Sequence, residues 1–234
     1  MLRLENINAS YGYLQILWDI SLEINRGEVV AVLGSNGVGK TTMLKVISGL
    51  LKPSSGKVFF RDEEITGISP DQLCAKGLVI IPEERNLFTA MSVYENLMMG
   101  AFTVRDKKVI QRNLEYVYEL FPRLKEREKQ LVGTMSGGER QMVAIARGLM
   151  SNPELIMLDE PSMGLSPQNA LIVFDALKKL KSQGVTVLIV EQNVNTTLQF
   201  ADRAYLMDQG RIVMSGTSQE LTADDRIQKM YLGL

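Results

Sequence analysis

The 234-residue sequence contains no histidine and a single cysteine, Cys74. Without imidazole the commonest general base and the commonest metal ligand are both missing. Proton transfer is then left to carboxylates, lysine, tyrosine or water. One thiol and no imidazole argue against a catalytic zinc site. One cysteine forbids an internal disulfide and points to a reducing compartment. Charge of one sign is also lacking, since the formal net charge is −1. A balanced chain offers no overall field to draw in nucleic acid or an anionic membrane. No apolar run approaches the ~18 residues that span a bilayer. The N-terminal stretch alternates apolar and polar residues, so no signal peptide is expected. If the chain serves a membrane, it does so through a partner.

What remains is an ordinary globular composition, 45% hydrophobic and 23% charged. The length suits one domain, or one domain with a sizeable insertion. The 13 methionines read mostly as core filling. The first 33 residues read as strands. Leu2, Leu4, Asn6 and Asn8 alternate with Arg3, Glu5 and Ile7, and Ile20–Ile24 follows after a gap. Residues 28–33 (EVVAVL) form a continuous apolar run, the mark of a strand covered on both faces. Further runs of strand length occur at 78–81, 155–158, 185–190 and 204–207, with helical patterns between them. Alternating strands and helices predict a mostly parallel sheet. The stretch from about Met91 to Met150 holds no clear strand. It predicts helices at 93–101, 107–120 and 138–150, a helical subdomain inserted into the α/β core.

Gly34-Ser35-Asn36-Gly37-Val38-Gly39-Lys40-Thr41 follows the first central strand and opens a helical pattern that includes Thr42. Glycines at these spacings let backbone N–H groups converge on phosphate oxygens. Lys40 supplies a point charge to them, Thr41 a hydroxyl for Mg²⁺, and the helix its positive end. Chance produces this pattern in roughly 1% of chains of this length. A second apolar strand, 155–158, ends in Asp159 and Glu160. The first acid suits a metal ion and the second can polarise water, although two solvated acids at a strand end would look the same. Ser136, Gly137, Gly138 and Glu139 precede another helix. Ser136 and Glu139 have the spacing of a capping box, which needs no ligand. Two glycines at a helix start after a serine also make a second anion site.

In this order the motifs resemble the ATP-binding subunits of ABC transporters over essentially the whole chain. SGGER resembles the family's signature, and Asp159 lies 23 residues beyond Ser136. PSMGLSP (161–167) resembles the loop that follows. The resemblance implies a phosphate-loop NTPase fold with a RecA-like α/β core. Residues 1–88 and 152–234 would form the core, with an N-terminal antiparallel β subdomain, and residues 89–151 the inserted helical subdomain. It implies Mg²⁺-dependent ATP hydrolysis in a head-to-tail dimer. Residues 34–42, Asp159 and Glu160 would face one ATP, and Ser136–Glu139 the ATP of the partner. Catalytic parts fall to Glu160, Lys40 and Gln192, and metal-binding parts to Thr41, Asp159 and Glu83. Tyr11 matches the ring that stacks on adenine, with Tyr13 a close competitor.

Departures from the family pattern narrow the resemblance. Glu83 stands where glutamine is usual, and Gln192 where a switch histidine is usual. A glutamine can orient water but cannot take a proton at neutral pH. Ser166 replaces an aspartate. PEER and VEQN together resemble one of the two ATPase subunits of bacterial branched-chain amino-acid importers. That implies a sister ATPase, membrane permease subunits, a periplasmic binding protein acting indirectly, and a place at the cytoplasmic face of the membrane. Segment 87–97, rich in apolar residues, is the expected docking surface for the membrane partner. The alternatives are another importer, a non-transport ABC protein, or a regulatory module without turnover.

Overall fold

The computed structural model describes residues 1–227. In chain order it holds β1 (Leu2–Tyr11), β2 (Leu14–Ile24), β3 (Val29–Leu33), α1 (Lys40–Ile47), β4 (Ser55–Phe60), β5 (Glu63–Glu64), α2 (Pro70–Ala75) and β6 (Leu78–Ile81). The helices α3 (Val93–Gly100), α4 (Lys107–Leu120), α5 (Pro122–Glu126) and α6 (Gly137–Leu149) follow. The chain continues with β7 (Leu155–Asp159), α7 (Pro167–Ser182), β8 (Thr186–Glu191), α8 (Val194–Leu198), β9 (Arg203–Asp208), β10 (Arg211–Thr217) and α9 (Ser218–Ala223).

The strands form two sheets. A four-stranded antiparallel sheet has the order β2-β1-β4-β5, and a six-stranded sheet the order β10-β9-β3-β8-β7-β6. In the larger sheet β6, β7, β8, β3 and β9 run parallel, and β10 is an antiparallel edge. Its middle strands are buried on both faces, which is why they read as unbroken apolar runs. Val30, Val32, Met157 and Leu188 pack toward the small sheet and α1. Ala31, Leu33, Ile156 and Leu158 pack toward the helices, in a core shared with Val143 and Phe174. The mixed α/β architecture with an antiparallel N-terminal sheet agrees with the expectation from the sequence. The helical stretch leaves the large sheet after β6 and re-enters at β7, and those two strands are neighbours, Leu78 opposite Leu155. The expected core segment 152–234 ends in residues 228–234, which lie outside the described residues.

One strand departs from its expected pattern. Asn6 and Asn8 do not share the buried face with Leu2 and Leu4; Ile7 and Ala9 do. The register with β2 shifts between Leu4 and Ile7, and Asn6 adopts a left-handed φ of 48°. One extra residue at such a bulge reverses the facing of everything after it. On the other side of β1, β4 makes room with Gly56, where a Cβ would sit 2.4 Å from the Asn6 carbonyl oxygen.

Candidate functional site

The loop between β3 and α1 is shaped by close backbone approach. At Gly34 a Cβ would lie 2.4 Å from the Met207 carbonyl oxygen. Gly39 has φ 109° and lies against Leu17 and Met207. Gly37 is also left-handed, at φ 82°. No side chain caps α1, and its first turn carries no acid, so its N-terminal amides remain available to an anion. Thr42 is buried at this helix start, and Val38 is core.

Lys40 is buried beneath the loop. Its Nζ donates to the carbonyl oxygens of Gly34 (2.8 Å) and Ser35 (3.0 Å). It also pairs with Glu160 Oε1 at 2.9 Å, both side chains being over 90% buried. Thr41 Oγ1 donates to Asp159 Oδ1 at 3.1 Å. Burial pushes the Asp159 carboxyl up to about 6, and the charges of Glu83 and Glu160 push the same way against the Thr41 bond. Three carboxylates thus face a single buried ammonium. Among the described residues no three acidic or sulfur groups are close enough to form a metal site by themselves, so a divalent cation beside Asp159 and Thr41 would take its remaining ligands from phosphate oxygens and water, as Mg²⁺ does.

A cleft of about 290 Å³ is lined by Asn36, Gly37, Gly39, Lys40, Thr41, Thr42, Glu83 and Glu160, with Ile16 and Met163. Sequence reasoning missed the last two. Ile16 arrives because β2 borders the edge strand of the large sheet, a contact between sheets that no local pattern displays. Met163 sits in the loop after Glu160. Of the expected residues, Gly34, Ser35, Val38 and Asp159 lie outside this lining, as do Tyr11, its competitor Tyr13, and Gln192. Tyr11 is half-exposed, its ring 5.9 Å from the Lys45 ammonium on α1; Tyr13 is fully exposed. Gln192 is exposed just past β8.

The Ser136–Glu139 segment also stands apart from the cleft, at the start of α6. Its capping box is complete: Ser136 Oγ donates to Glu139 Oε2 (2.8 Å) and accepts from the Glu139 amide. The Glu139 carboxylate also pairs with Arg127 at 3.0 Å. Bonding to the Ser136 backbone holds it below the usual carboxylate range. The Glu139 carboxylate is therefore committed to the helix end and to Arg127. At Gly138 a Cβ would meet the Asn169 side-chain amide at 2.4 Å, so a larger residue there requires that side chain of α7 to move aside. Nothing lies within 4 Å of a Cβ at Gly137. Packing does not explain Gly137.

The loop bearing Glu83 is tied to α6. Arg147 donates to the carbonyls of Arg85 and Asn86, both at 2.7 Å. Arg85 Nε donates to Gln141 Oε1 at 2.6 Å. Arg85 and Asn86 both have left-handed φ, 63° and 45°, a conformation that persists when surroundings enforce it.

A glycine-rich loop between a buried strand and a helix, with a buried lysine and a strand-end acid pair, defines a phosphate-loop nucleotide-binding protein. A family model described as ABC transporter matches residues 17–163. The chain belongs to the ABC transporter family and is an ATP-hydrolysing cassette of it. It is 44% identical to the high-affinity branched-chain amino acid transport ATP-binding protein BraG of Pseudomonas aeruginosa, over the full length of both. It is 40% identical to the probable branched-chain amino acid transport ATP-binding protein LivF of Archaeoglobus fulgidus, covering all of this chain and 99% of the other. Among solved structures it resembles the ADP conformation of MJ1267, an ATP-binding cassette of an ABC transporter. There the TM-score is 0.86 at 30% identity, over all of this chain and 99% of that one. It also resembles the dimeric post-hydrolysis state of the cassette MJ0796 bound to ADP and Pi. That match has a TM-score of 0.81 at 27% identity, over 93% of this chain and 99% of that one.

Proposed function

We propose that this chain hydrolyses ATP to drive uptake of branched-chain amino acids, bound at the cytoplasmic face of the membrane to permease subunits that a periplasmic binding protein supplies. The full-length similarity to two branched-chain amino acid transport ATP-binding proteins supports the substrate class. The loop amides and Lys40 hold the β- and γ-phosphates and stabilise the charge that develops on them. Tyr11 stacks on the adenine. Glu160 accepts a hydrogen bond from the attacking water and draws off its proton. Gln192 orients that water from the end of β8. Thr41, Asp159 and Glu83 would hold Mg²⁺, which would supply neutralising charge to the phosphates.

Separation of the two anion-binding segments within one chain carries the proposal of a dimer. Ser136 and Gly137, with the amides of Gly138 and Glu139, would cover the nucleotide of a second cassette, a sister subunit or another copy of this chain. Domain boundaries at residues 88/89 and 151/152 follow from the same reading, with the helical insertion carrying this second half-site. Among the described residues no helix is long and apolar enough to cross a membrane, so attachment requires a docking surface.

A groove of about 380 Å³ supplies one, lined by Val79, Ile81, Phe88, Met99, Phe102 and Arg147. Phe102 is 88% exposed. The location differs in part from segment 87–97. Val93 and Leu97 are fully buried and pack the subdomain, while Phe88 remains exposed. Glu95 is a poor probe of docking, because its carboxylate caps α3 through Ser92. Phe102→Glu should abolish co-purification with the permease subunits while leaving ATP binding intact. Retained assembly would place the docking surface elsewhere. Uptake of labelled leucine into cells lacking the chain, restored by its expression, tests the substrate class.

A further inference from the structure

Glu191 ends β8 as a buried carboxylate, 2% exposed, and among the described residues no ion pair is formed with it. A charge in such a place is costly unless its bonds are needed. Its two oxygens accept from backbone amides, Oε1 from Ser162 (2.9 Å) and Oε2 from Gln192 (3.3 Å). Burial pushes this carboxyl up, and the nearby Glu160 charge adds to the effect. Its own carbonyl accepts from the Gly34 amide at 3.3 Å, so the residue also borders the phosphate loop.

The Ser162 amide belongs to the turn that begins at Glu160. Glu160 itself has φ 47°, in the left-handed region that non-glycine residues rarely adopt. Its amide donates to the Val190 carbonyl (3.0 Å), and its carbonyl accepts from Met163 (3.0 Å). These two bonds close the turn onto itself and onto β8. The Glu191 carboxylate bonds the turn midway between them, and a charged acceptor holds an amide more firmly than a neutral one. The strained conformation places the Glu160 carboxylate on the phosphate-loop side, where it meets Lys40.

We propose that Glu191 is a positioning residue for ATP hydrolysis, anchoring the Ser162 amide and so holding the left-handed turn that aims Glu160 at the phosphate loop. This rests on Glu160 as the residue that polarises water. Glu191→Met fills the same space without an acceptor, and Glu191→Gln keeps one amide oxygen for Ser162. Single-turnover hydrolysis and binding of a fluorescent ATP analogue are measured on the purified full-length chain. Glu191→Met should slow hydrolysis about ten-fold or more while nucleotide affinity stays within about three-fold, a loss in the chemical step alone. Glu191→Gln should remain within about three-fold of wild type, because its oxygen still accepts. In a Glu160→Gln background, Glu191→Met should add less than about two-fold, as expected for residues acting through one another. The melting temperature of Glu191→Met should stay close to wild type, the removed buried charge offsetting the two amides left without an acceptor. Wild-type turnover in Glu191→Met, equal losses in both variants, or multiplicative losses with Glu160→Gln would each overturn the proposal. A Glu160→Gln variant with wild-type turnover would instead sink the reading of Glu160.

Discussion

The two segments proposed to bind anions are built in opposite ways. The phosphate loop is crowded: Gly34 and Gly39 are glycine because backbone and side chains of β9 and β2 press against them. Its charges are buried and mutually engaged, with Lys40 held by Glu160 and two carbonyls. The start of α6 is open on one side and self-satisfied on the other. Ser136 spends its hydroxyl on its own helix, and Gly137 faces empty space. A segment that is complete in itself yet leaves room in front of it is suited to meeting a surface from another molecule. The phosphate loop stores electrostatic cost in the folded chain, whereas at the start of α6 the Glu139 charge is paired and the cost falls on Arg140, whose Nε is buried without a partner.

Lys40→Ala breaks the crowded end most severely. It removes the cation proposed to hold the phosphates and leaves Glu160 buried without its partner. High-affinity ATP binding should be lost, read by calorimetry; unchanged affinity would contradict the phosphate-loop assignment. Glu160→Gln should keep nucleotide binding and slow hydrolysis by about 10²-fold or more, the scale of a lost general base. It should also favour an ATP-bound dimer in gel filtration. Turnover within a few-fold of wild type would show that another group polarises the water.

Asp159→Asn tests the stored cost directly. The native carboxyl titrates near 6 against an ordinary value of 3.8, so the folded state keeps a proton that the unfolded chain has lost. Stability is therefore lost as pH rises from about 4 to about 6 and stays low above that. A shift of about two pH units corresponds to at most ~3 kcal/mol. In the nucleotide-free and metal-free protein, Asp159→Asn should raise the melting temperature at pH 8. The gain should shrink toward pH 4. A gain independent of pH would mean that the carboxylate charge is not its source.

The crowded end was far more legible in the sequence than the open one. A strand, a glycine loop and a helix are contiguous, so their spacing alone specifies Lys40 and Thr41. The buried strands announce themselves because both faces are covered. Other strands did not: β10, at the edge of the large sheet, alternates exposed and half-buried residues, and β4, in the antiparallel small sheet, begins with serine, glycine and lysine. The bulge at Asn6 escaped because the left-handed residue there is not glycine. Ile16 and Glu191 escaped for another reason. Their importance arises from which strands lie side by side, and strand order in the larger sheet follows no sequence order. At the signature, the capping box was readable from Ser136 and Glu139, but the difference between the two glycines was not. That difference depends on Asn169, which lies on another helix.

Gly137 and Gly138 separate packing from recognition. Gly138→Ala should lower the melting temperature by a few degrees, because its Cβ must push the Asn169 side chain aside. Gly137→Ala should leave the melting temperature unchanged or slightly raised, since alanine favours the helix and meets nothing. Its steady-state ATPase activity should nonetheless fall, as the added methyl occupies the surface proposed to meet the partner's nucleotide. Full activity in Gly137→Ala would make the segment a capped helix and nothing more.

The smallest effect concerns the junction of the two ends. Ser166 stands where the family pattern has aspartate, and it still caps α7, its Oγ accepting from the Asn169 amide at 3.4 Å. Serine and aspartate are near-equivalent caps, which is how the replacement is tolerated. Ser166→Ala should cost about 1 kcal/mol, read as a shift in the urea midpoint at unchanged slope. Ser166→Asp should restore or exceed wild-type stability, because an acid at a helix N-terminus also meets the helix dipole. The same helix carries Asn169 against Gly138, so a loosened α7 should weaken the open end before the crowded one. Hydrogen exchange in Ser166→Ala should therefore rise first at residues 136–139, with the amides of 37–41 unaffected. Equal loosening at both segments would mean that α7 supports them alike, and the contrast between the two ends would not extend to their mechanics.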